Sequence, residues 1–187
     1  MIRVLVRVVI AVAMLVLASL IFTLAPKDEQ TQAPVEIPIS IGETGTGRNI
    51  EVTVHNIRLA EVVEADGYTP WTGTTPGVWI VVDATMSNVV NSTLPSGFLT
   101  FDGLTYFAST RPDSESLVGA RLTPGIPTTG TVLFEVPLDV IQTSEPVKIT
   151  FAASSDLRLD SAIVLSERLD ELEIEPAILL EGPETGG

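Results

Sequence analysis

The chain has 187 residues, of which 45% are hydrophobic and only 18% are charged. This length gives room for one domain of ordinary size, and this composition excludes a disordered polyelectrolyte. Because the sequence contains no cysteine, it also excludes disulfides, thiol catalysis, cysteine-ligated zinc and a lipid-modified cysteine.

The N-terminal segment is strongly apolar. Arg3 and Arg7 flank its start, and the eighteen residues from Val8 to Ala25 carry no charge. As a helix this run extends about 27 Å, close to the thickness of a bilayer's hydrocarbon core. Acidic residues Asp28 and Glu29 follow it, so the positive-inside rule places the N-terminus in the cytoplasm. The sequence therefore predicts a single-pass membrane protein of the cell membrane, with residues 8–25 in the bilayer and the C-terminal domain extracytoplasmic.

A cleaved secretory signal is the alternative interpretation of this segment. Such signals have an apolar stretch of roughly 7–15 residues and end at a small-x-small site. Here the apolar run is longer, and the nearest site ends at Ala25 directly before Pro26, a poor position for cleavage. We therefore interpret the segment as an uncleaved anchor.

The chain beyond Ala25 is acidic. It contains eight basic and 24 acidic residues, a formal net charge of −16. This charge argues against binding of nucleic acid and against tight binding to anionic lipid head groups. An acidic surface that keeps the domain soluble is the simplest interpretation, and attraction of cations or a basic partner is the alternative.

Alternating hydrophobicity follows a polar stalk at residues 26–34. Residues 35–41 and 50–59 both show the period of two that is typical of half-buried strands. In the second stretch the alternation slips at His55 and Asn56, which predicts a β-bulge.

The run Gly77–Asn88 is the strongest strand pattern and is expected at the centre of a sheet. Asp102-Gly103 is a two-residue hairpin signal between two apolar strands. Further along the chain the pattern predicts a turn at 122–125, strands at 128–136 and 147–153, and one helical turn at 138–142.

The C-terminal part is less clear in its pattern. Residues 162–166 suit a last strand, whereas 166–175 also have the composition of a short amphipathic helix. We expect a strand followed by a frayed end. Short strands separated by Gly/Pro-rich turns predict an all-β fold, an antiparallel immunoglobulin-like β-sandwich preceded by a single N-terminal transmembrane helix. The expected division is 1–25 tip and anchor, 26–34 stalk, 35–175 sandwich and 176–187 disordered tail.

Three segments carry a family resemblance. They are GVWIVVDATMSN at residues 77–88, F-x-x-x-D-G-x-x-Y at 98–106, and L-x-P-G…T-G-T-V-L-F-E-V-P at 122–137. Together their order resembles the uncharacterised immunoglobulin-like domains of Gram-positive surface proteins and lipoproteins, a group related to a secreted mycobacterial immunogenic antigen. The resemblance covers about two-thirds of the chain. It implies an extracytoplasmic β-sandwich without agreed catalytic residues, and the helical anchor departs from it.

Few residues could support catalysis or metal binding. His55 is the only histidine, so a catalytic triad would have to use it and a two-histidine metal site is excluded. Its place within a strand favours a structural role, and Met86 with His55 cannot make a copper site. Asp66, Asp83, Asp102 and Asp113 lie near predicted turns, where carboxylates can bind calcium, but they lack calcium-loop spacing. We predict no catalytic residues, no metal and no cofactor.

Tyr68 and Trp71 are the candidate binding residues. They lie in the polar stretch Asp66–Gly77, which is expected to be a long loop between two strands. Exposed aromatic residues on loops are common binding anchors. The structural alternative is that Trp71 folds back and covers one end of the sandwich.

These observations predict a non-enzymatic, membrane-anchored binding or accessory module of the bacterial cell envelope. Its partners would be the membrane, through residues 8–25, and an envelope or membrane protein. One alternative is an envelope polysaccharide hydrolase that uses paired carboxylates. Another is a calcium-dependent adhesion domain.

Overall fold

The structure, a computed structural model, describes residues 2–24, 32–67, 70–112 and 115–186. The chain divides into two compact units, Met1–Ala33 and Pro34–Gly187. All described strands belong to the second unit.

The first unit contains helix α1, Ile2–Leu24. From Ile2 to Thr23 the helix is long and apolar enough to cross a membrane, and no other described helix is. All of the described side chains in this stretch are exposed. A helix that is apolar on all sides has no polar face to turn toward water, so it requires an apolar environment. The predicted N-terminal apolar helix is confirmed.

The second unit consists of short and long strands with one helical turn. The elements are β1 Val35–Ile39, β2 Thr44–Thr46, β3 Glu51–Ala65, β4 Trp71–Ser87, β5 Ser96–Phe101, β6 Leu104–Phe107, β7 Thr128–Val136, α2 Leu138–Ile141, β8 Val147–Ala152, β9 Ser161–Glu167, β10 Ile174–Leu180 and β11 Glu184–Thr185.

These strands form two sheets. One has the order β1-β9-β8-β5-β6, and the other has the order β10-β3-β4-β7-β11, with β2 also paired to β3. The main hydrophobic cluster takes side chains from both sheets, including Val52, Ile80 and Phe134 from one and Ile149 and Phe151 from the other. The fold is therefore a β-sandwich, as predicted. It departs from an antiparallel sandwich at two edges, where β1 runs parallel to β9 and β10 runs parallel to β3.

Several local predictions are confirmed. The register of β3 against β4 shifts between Val54 and Asn56, which places a bulge at His55. The β5–β6 hairpin turns at Asp102 and Gly103, whose φ angles are 45° and 74°, the left-handed conformation that a type I′ turn requires at both positions. Helical turn α2 is also present.

Strand β4 begins earlier than the sequence predicts. The expected loop Asp66–Gly77 ends at Trp71, where β4 starts and pairs with Ala65 at the end of β3. Residues 75–78 of β4 then lie opposite the single residue Glu61. The Pro76-Gly77 signal thus marks a bulge inside a strand, because threonine and tryptophan are good strand formers and proline is tolerated at bulges.

The bulge bends β4 sharply. The rings of Trp71 and Trp79 are 6.2 Å apart in an edge-to-face arrangement, although the two residues would be about 26 Å apart in a straight strand. At this bulge β4 lies close to β7, because a Cβ atom on Gly77 would collide with the carbonyl oxygen of Val136.

A second hydrophobic cluster lies on the outer face of the six-stranded sheet. Trp79, Val81 and Leu133 are almost completely buried there, although the side chains next to them in sequence point into the main core. Ile178 and Leu180 of β10 belong to this cluster and are also buried. Central strand β4 is therefore covered on both faces, which explains its continuous apolar run.

The C-terminal residues correct the expectation of a disordered tail from residue 176. Strand β10 pairs with β3, and β11 pairs with β7 at the other edge of the sheet. Only residues 181–183 separate the two strands. That link covers at most about 14 Å, which is less than the roughly 19 Å across four strand spacings of a flat sheet. The sheet must therefore curl around the second cluster.

We expect substitution of Gly77 by alanine to destabilise the domain. The new methyl group must displace the β7 backbone or break the bend, and overpacking of this kind typically costs about 1–3 kcal/mol. Thermal unfolding of residues 34–187, which contain both hydrophobic clusters, would measure the loss. Gly186→Ala is the control, because a Cβ there makes only an ordinary contact with Pro127. Equal melting temperatures for the two variants would contradict the bend.

A neighbouring pair of residues tests the C-terminal strand. Ile178 is 2% exposed and Leu179 is 58% exposed. We expect Ile178→Ala to lower the free energy of unfolding by about 2–4 kcal/mol, because it leaves a cavity, and Leu179→Ala to change it by less than about 0.5 kcal/mol. Denaturant unfolding of both variants would show the difference. If the tail were disordered, neither substitution would change the free energy of unfolding.

Candidate functional site

A cavity lies where the C-terminal segment passes over the outer face of the six-stranded sheet. Its volume is about 380 Å³. We call it the C-terminal cleft, and its lining residues are Arg58, Asp83, Thr129, Gly130, Thr131, Leu179, Glu181, Gly182 and Glu184. The cleft combines backbone and hydroxyl groups with charged side chains, and polar groups of this kind fix the orientation of a bound ligand.

Two of the lining residues, Arg58 and Asp83, form an ion pair. The Arg58 guanidinium donates two hydrogen bonds to Asp83, from Nε to Oδ2 at 3.0 Å and from Nη2 to Oδ1 at 2.8 Å. Asn56 is directly opposite Asp83 in the β3–β4 register, so Arg58 reaches the carboxylate diagonally across the two strands. About a third of each side chain or less remains exposed. The bidentate geometry and partial burial fix both side chains.

The surroundings of this ion pair are acidic. The hydrogen bonds to Asp83 raise the pKa of the Arg58 guanidinium above its ordinary value, and the charges of Glu175 and Glu181 raise it further. Partial burial opposes this effect. With Glu184 also in the lining, negative charge exceeds positive charge in the cleft, which favours a cationic or hydroxyl-rich ligand over an anion.

A row of hydroxyl groups continues along the same face. His55 Nε2 lies 2.7 Å from Thr85 Oγ1, which lies 2.8 Å from Thr129 Oγ1. His55 is exposed at its bulge. Its side chain therefore joins a cross-strand hydrogen-bond chain, in agreement with the structural role expected for it.

Of the two candidate binding residues, Tyr68 lies outside the described residues. Trp71 lies in β4 and is half-buried against Trp79. It covers the second cluster. This position is close to the alternative in which Trp71 folds back onto the sandwich. A contribution of Trp71 to binding stays a prediction.

The three described acidic residues of the calcium alternative are dispersed. Asp83 lies in the middle of β4 and not near a turn, Asp102 forms the hairpin turn, and Asp66 is exposed after β3. Asp113 is outside the described residues. Within the described ranges, no three His, Cys, Asp or Glu side chains are grouped so that they could hold a metal ion.

Sequence reasoning missed Arg58, Glu181 and Glu184. A signal for the first was present, because Arg58 is the only arginine or lysine of β3 and Asp83 is the only charged residue of β4, the next strand. Such charges favour a cross-strand pair when the strands form a hairpin. The glutamates had no local signal, since they reach the cleft only through the pairing of β10 and β11.

A second, more apolar cavity of about 400 Å³ lies beside strands β5 and β6. Leu94, Phe107 and Val118 line it, with Ser154 and Ser155 at its polar side. Phe107 packs edge-to-face on Phe98 at 5.3 Å between ring centroids and remains 69% exposed. This groove provides apolar surface without a charged group in its lining.

The two-sheet architecture defines the chain as a β-sandwich protein, and one of two similar solved structures supports this fold. An uncharacterized β-sandwich protein from Clostridium difficile 630 matches with a TM-score of 0.50 and 17% identity, over 77% of this chain and 100% of that chain. The yjhA protein from Bacillus subtilis matches with a TM-score of 0.45 and 17% identity, over 67% of this chain and 98% of the yjhA chain. No protein-family model matches the chain, and no curated protein matches it. The first likeness supports the fold and assigns no activity.

The ion pair in the C-terminal cleft is open to a double-mutant cycle. Replacing Arg58 alone by alanine leaves Asp83 without its cation in acidic surroundings. The losses of unfolding free energy in the two single variants should therefore sum to more than the loss in the double variant. We expect a coupling energy of about 1 kcal/mol from denaturant unfolding of the four proteins. The exposed pair Arg158 and Asp156 is the control and should show no measurable coupling. Additive effects at Arg58 and Asp83 would contradict the prediction.

Proposed function

We propose that the chain is a single-pass membrane protein whose β-sandwich is a non-catalytic binding or accessory module on the outer side of a bacterial cell membrane. The observation that carries this proposal is α1, an apolar helix of spanning length whose described side chains between Ile2 and Thr23 are all exposed. A bilayer supplies the apolar surroundings that such a helix requires. The arginines before it and the acidic residues after it favour a cytoplasmic N-terminus.

The composition of the second unit supports a role separate from the anchor. Both hydrophobic clusters consist of residues from Pro34–Gly187, so this unit has a core of its own. Its outer surface offers the C-terminal cleft and the groove beside Phe107. An envelope or membrane protein with basic or hydroxyl-rich groups is the partner that the cleft favours.

Cysteine labelling can test both anchor and orientation, because the natural chain has no cysteine. Ser144→Cys places one thiol on an exposed loop of the sandwich, before β8, and Ile2→Cys places one at the start of α1. We expect a membrane-impermeant maleimide to label Ser144→Cys in intact spheroplasts and Ile2→Cys only after lysis. The protein should also stay in the membrane after alkaline carbonate extraction.

The same experiment separates an anchor from a cleaved signal. If the N-terminal segment is removed, the Ile2→Cys protein becomes shorter and loses its label under every condition. Release by carbonate, or labelling of Ser144→Cys only after lysis, would contradict the proposal.

A hydrolase acting on envelope polysaccharide is the second candidate, and one observation favours it. Asp83, Glu181 and Glu184 line one cavity, and glycoside hydrolysis uses two carboxyl groups on either side of the scissile bond. It ranks second because both oxygens of Asp83 accept hydrogen bonds from Arg58. Release of reducing ends from purified cell wall, lost in Glu181→Gln and Glu184→Gln, would favour the hydrolase.

A further inference from the structure

One end of the β-sandwich is the end at which the chain arrives from the N-terminal unit. Strand β1 starts there at Val35. Strands β9 and β5 start at the same end, because β1 is parallel to β9 and both β9 and β5 are antiparallel to β8. We call this the stalk end of the sandwich.

Hydrogen bonds join the loops of the stalk end. The Val35 amide donates to the Asp160 carbonyl at 2.8 Å, and the Arg48 guanidinium donates to the Leu159 carbonyl at 3.5 Å. The side chain of Asn49 accepts from the amides of Val90 and Asn91, both at 2.8 Å. These contacts bring the chain before β3, the loop after β4 and the loop before β9 to one end.

The same loop after β4 is fixed from inside. The buried Asn88 side chain donates to the carbonyl oxygens of Asn91 and Leu122 and to Thr93 Oγ1. The Gly125 amide donates to the Asn88 carbonyl at 3.1 Å. The segment 122–126 therefore belongs to the stalk end too, and the loop is held in one conformation.

These fixed loops carry exposed apolar side chains. We call the set the apolar rim, and its members are Val35, Val89, Val90, Leu94, Ile126 and Leu159. Val35 and Leu159 are each 66% exposed and Val90 is 61% exposed. Loops that only needed to be soluble would carry polar residues at these positions, and clustered apolar exposure indicates an interaction surface.

Backbone strain at Leu159 is an independent observation. Its φ angle is 56°, in the left-handed region that disfavours a residue with a branched apolar side chain. Asparagine or glycine would adopt this conformation at lower cost. A strained backbone that presents a leucine to the outside points to a use for that side chain.

The proposed anchoring ties the stalk end to the membrane through the chain. The chain from Leu24 to Val35 can extend at most about 40 Å, and the head-group region of one leaflet is only about 5–8 Å thick. A tether of this length gives an effective concentration on the order of millimolar, so weak contacts are enough for association.

We propose that the apolar rim docks on the outer leaflet of the membrane that holds α1, with its aliphatic side chains in the interfacial region. This inference rests on the proposed anchoring. The contact is aliphatic and not electrostatic, because the chain beyond Ala25 has a net charge of −16 and Arg158 at this end is paired with Asp156. Docking would fix the orientation of the domain on the membrane, with the far end of the sandwich directed away from the lipid.

Site-specific fluorescence in vesicles tests the proposal. The full chain is reconstituted into phosphatidylcholine vesicles after substitution of Ser155 by cysteine, and the thiol carries an environment-sensitive dye. Ser155 is exposed in the loop before β9. Ser144→Cys, exposed before β8 at the far end, is the matched control. We expect a blue shift and quenching by head-group spin-labelled lipid at Ser155→Cys, and neither effect at Ser144→Cys.

Rim variants identify the side chains responsible. Val90→Thr keeps the shape of the side chain, and Leu159→Asn introduces a polar residue that tolerates the left-handed backbone better than leucine does. Together they should reduce quenching at Ser155→Cys to the level of Ser144→Cys. Leu104→Asn is the control, because Leu104 is 61% exposed at the β5–β6 turn of the far end. It should leave quenching unchanged.

The outcomes separate this inference from the anchoring. Carbonate extraction of the same vesicles shows whether the protein is inserted. Inserted protein without quenching at Ser155→Cys, or with equal quenching at Ser144→Cys, would overturn docking while the anchor stands. Protein released by carbonate would overturn the anchor itself. Quenching that requires phosphatidylglycerol would also overturn the proposal, because it would mean that Arg48 binds head groups.

Discussion

The structure depends on the burial of strand β4 on both faces. Its residues Val78–Val82 are all almost completely inaccessible to solvent, and alternate side chains enter two different hydrophobic clusters. A strand of this kind cannot lie in a sheet with one solvated face. The five-stranded sheet covers one side, and β10 with Trp71 must cover the other. The bend at Gly77 and the ordered C-terminal strands follow from this requirement.

The sequence predicted most of what is local. Strand periodicity identified β1, β7, β8 and the core part of β4, and turn chemistry identified the Asp102-Gly103 hairpin. It was less informative where a pairing is distant in sequence. Strand β10 pairs with residues more than 100 positions earlier, and its charged approach also suits a helix. Only the three-dimensional position of β3 distinguishes these possibilities, because local propensity is a weak guide against tertiary packing.

The candidate sites were harder to predict for the same reason. Tyr68 and Trp71 followed from the expectation of a loop, but Trp71 is required as a cover for Trp79. The C-terminal cleft combines residues of β3 and β4 with residues from the end of the chain. In the sequence, the opposite charges of Arg58 and Asp83 in consecutive strands indicated the ion pair. No local pattern indicated Glu181 or Glu184. Sequence patterns report burial well, and they report juxtaposition only between neighbouring strands.

Anchoring changes what the surfaces of the domain need to achieve. A free binding domain must overcome the loss of its own translational and rotational freedom each time it associates, which costs several kcal/mol. A tethered domain has already lost much of that freedom, so a modest apolar contact is enough to orient it. Rigid loops around Asn49 and Asn88 reduce the remaining cost further, because the rim side chains are already in place. Orientation of the sandwich would then present the C-terminal cleft to partners in a defined direction. The proposed anchor, the apolar rim and the cleft would together suit the acidic domain to the accessory role that we propose for it.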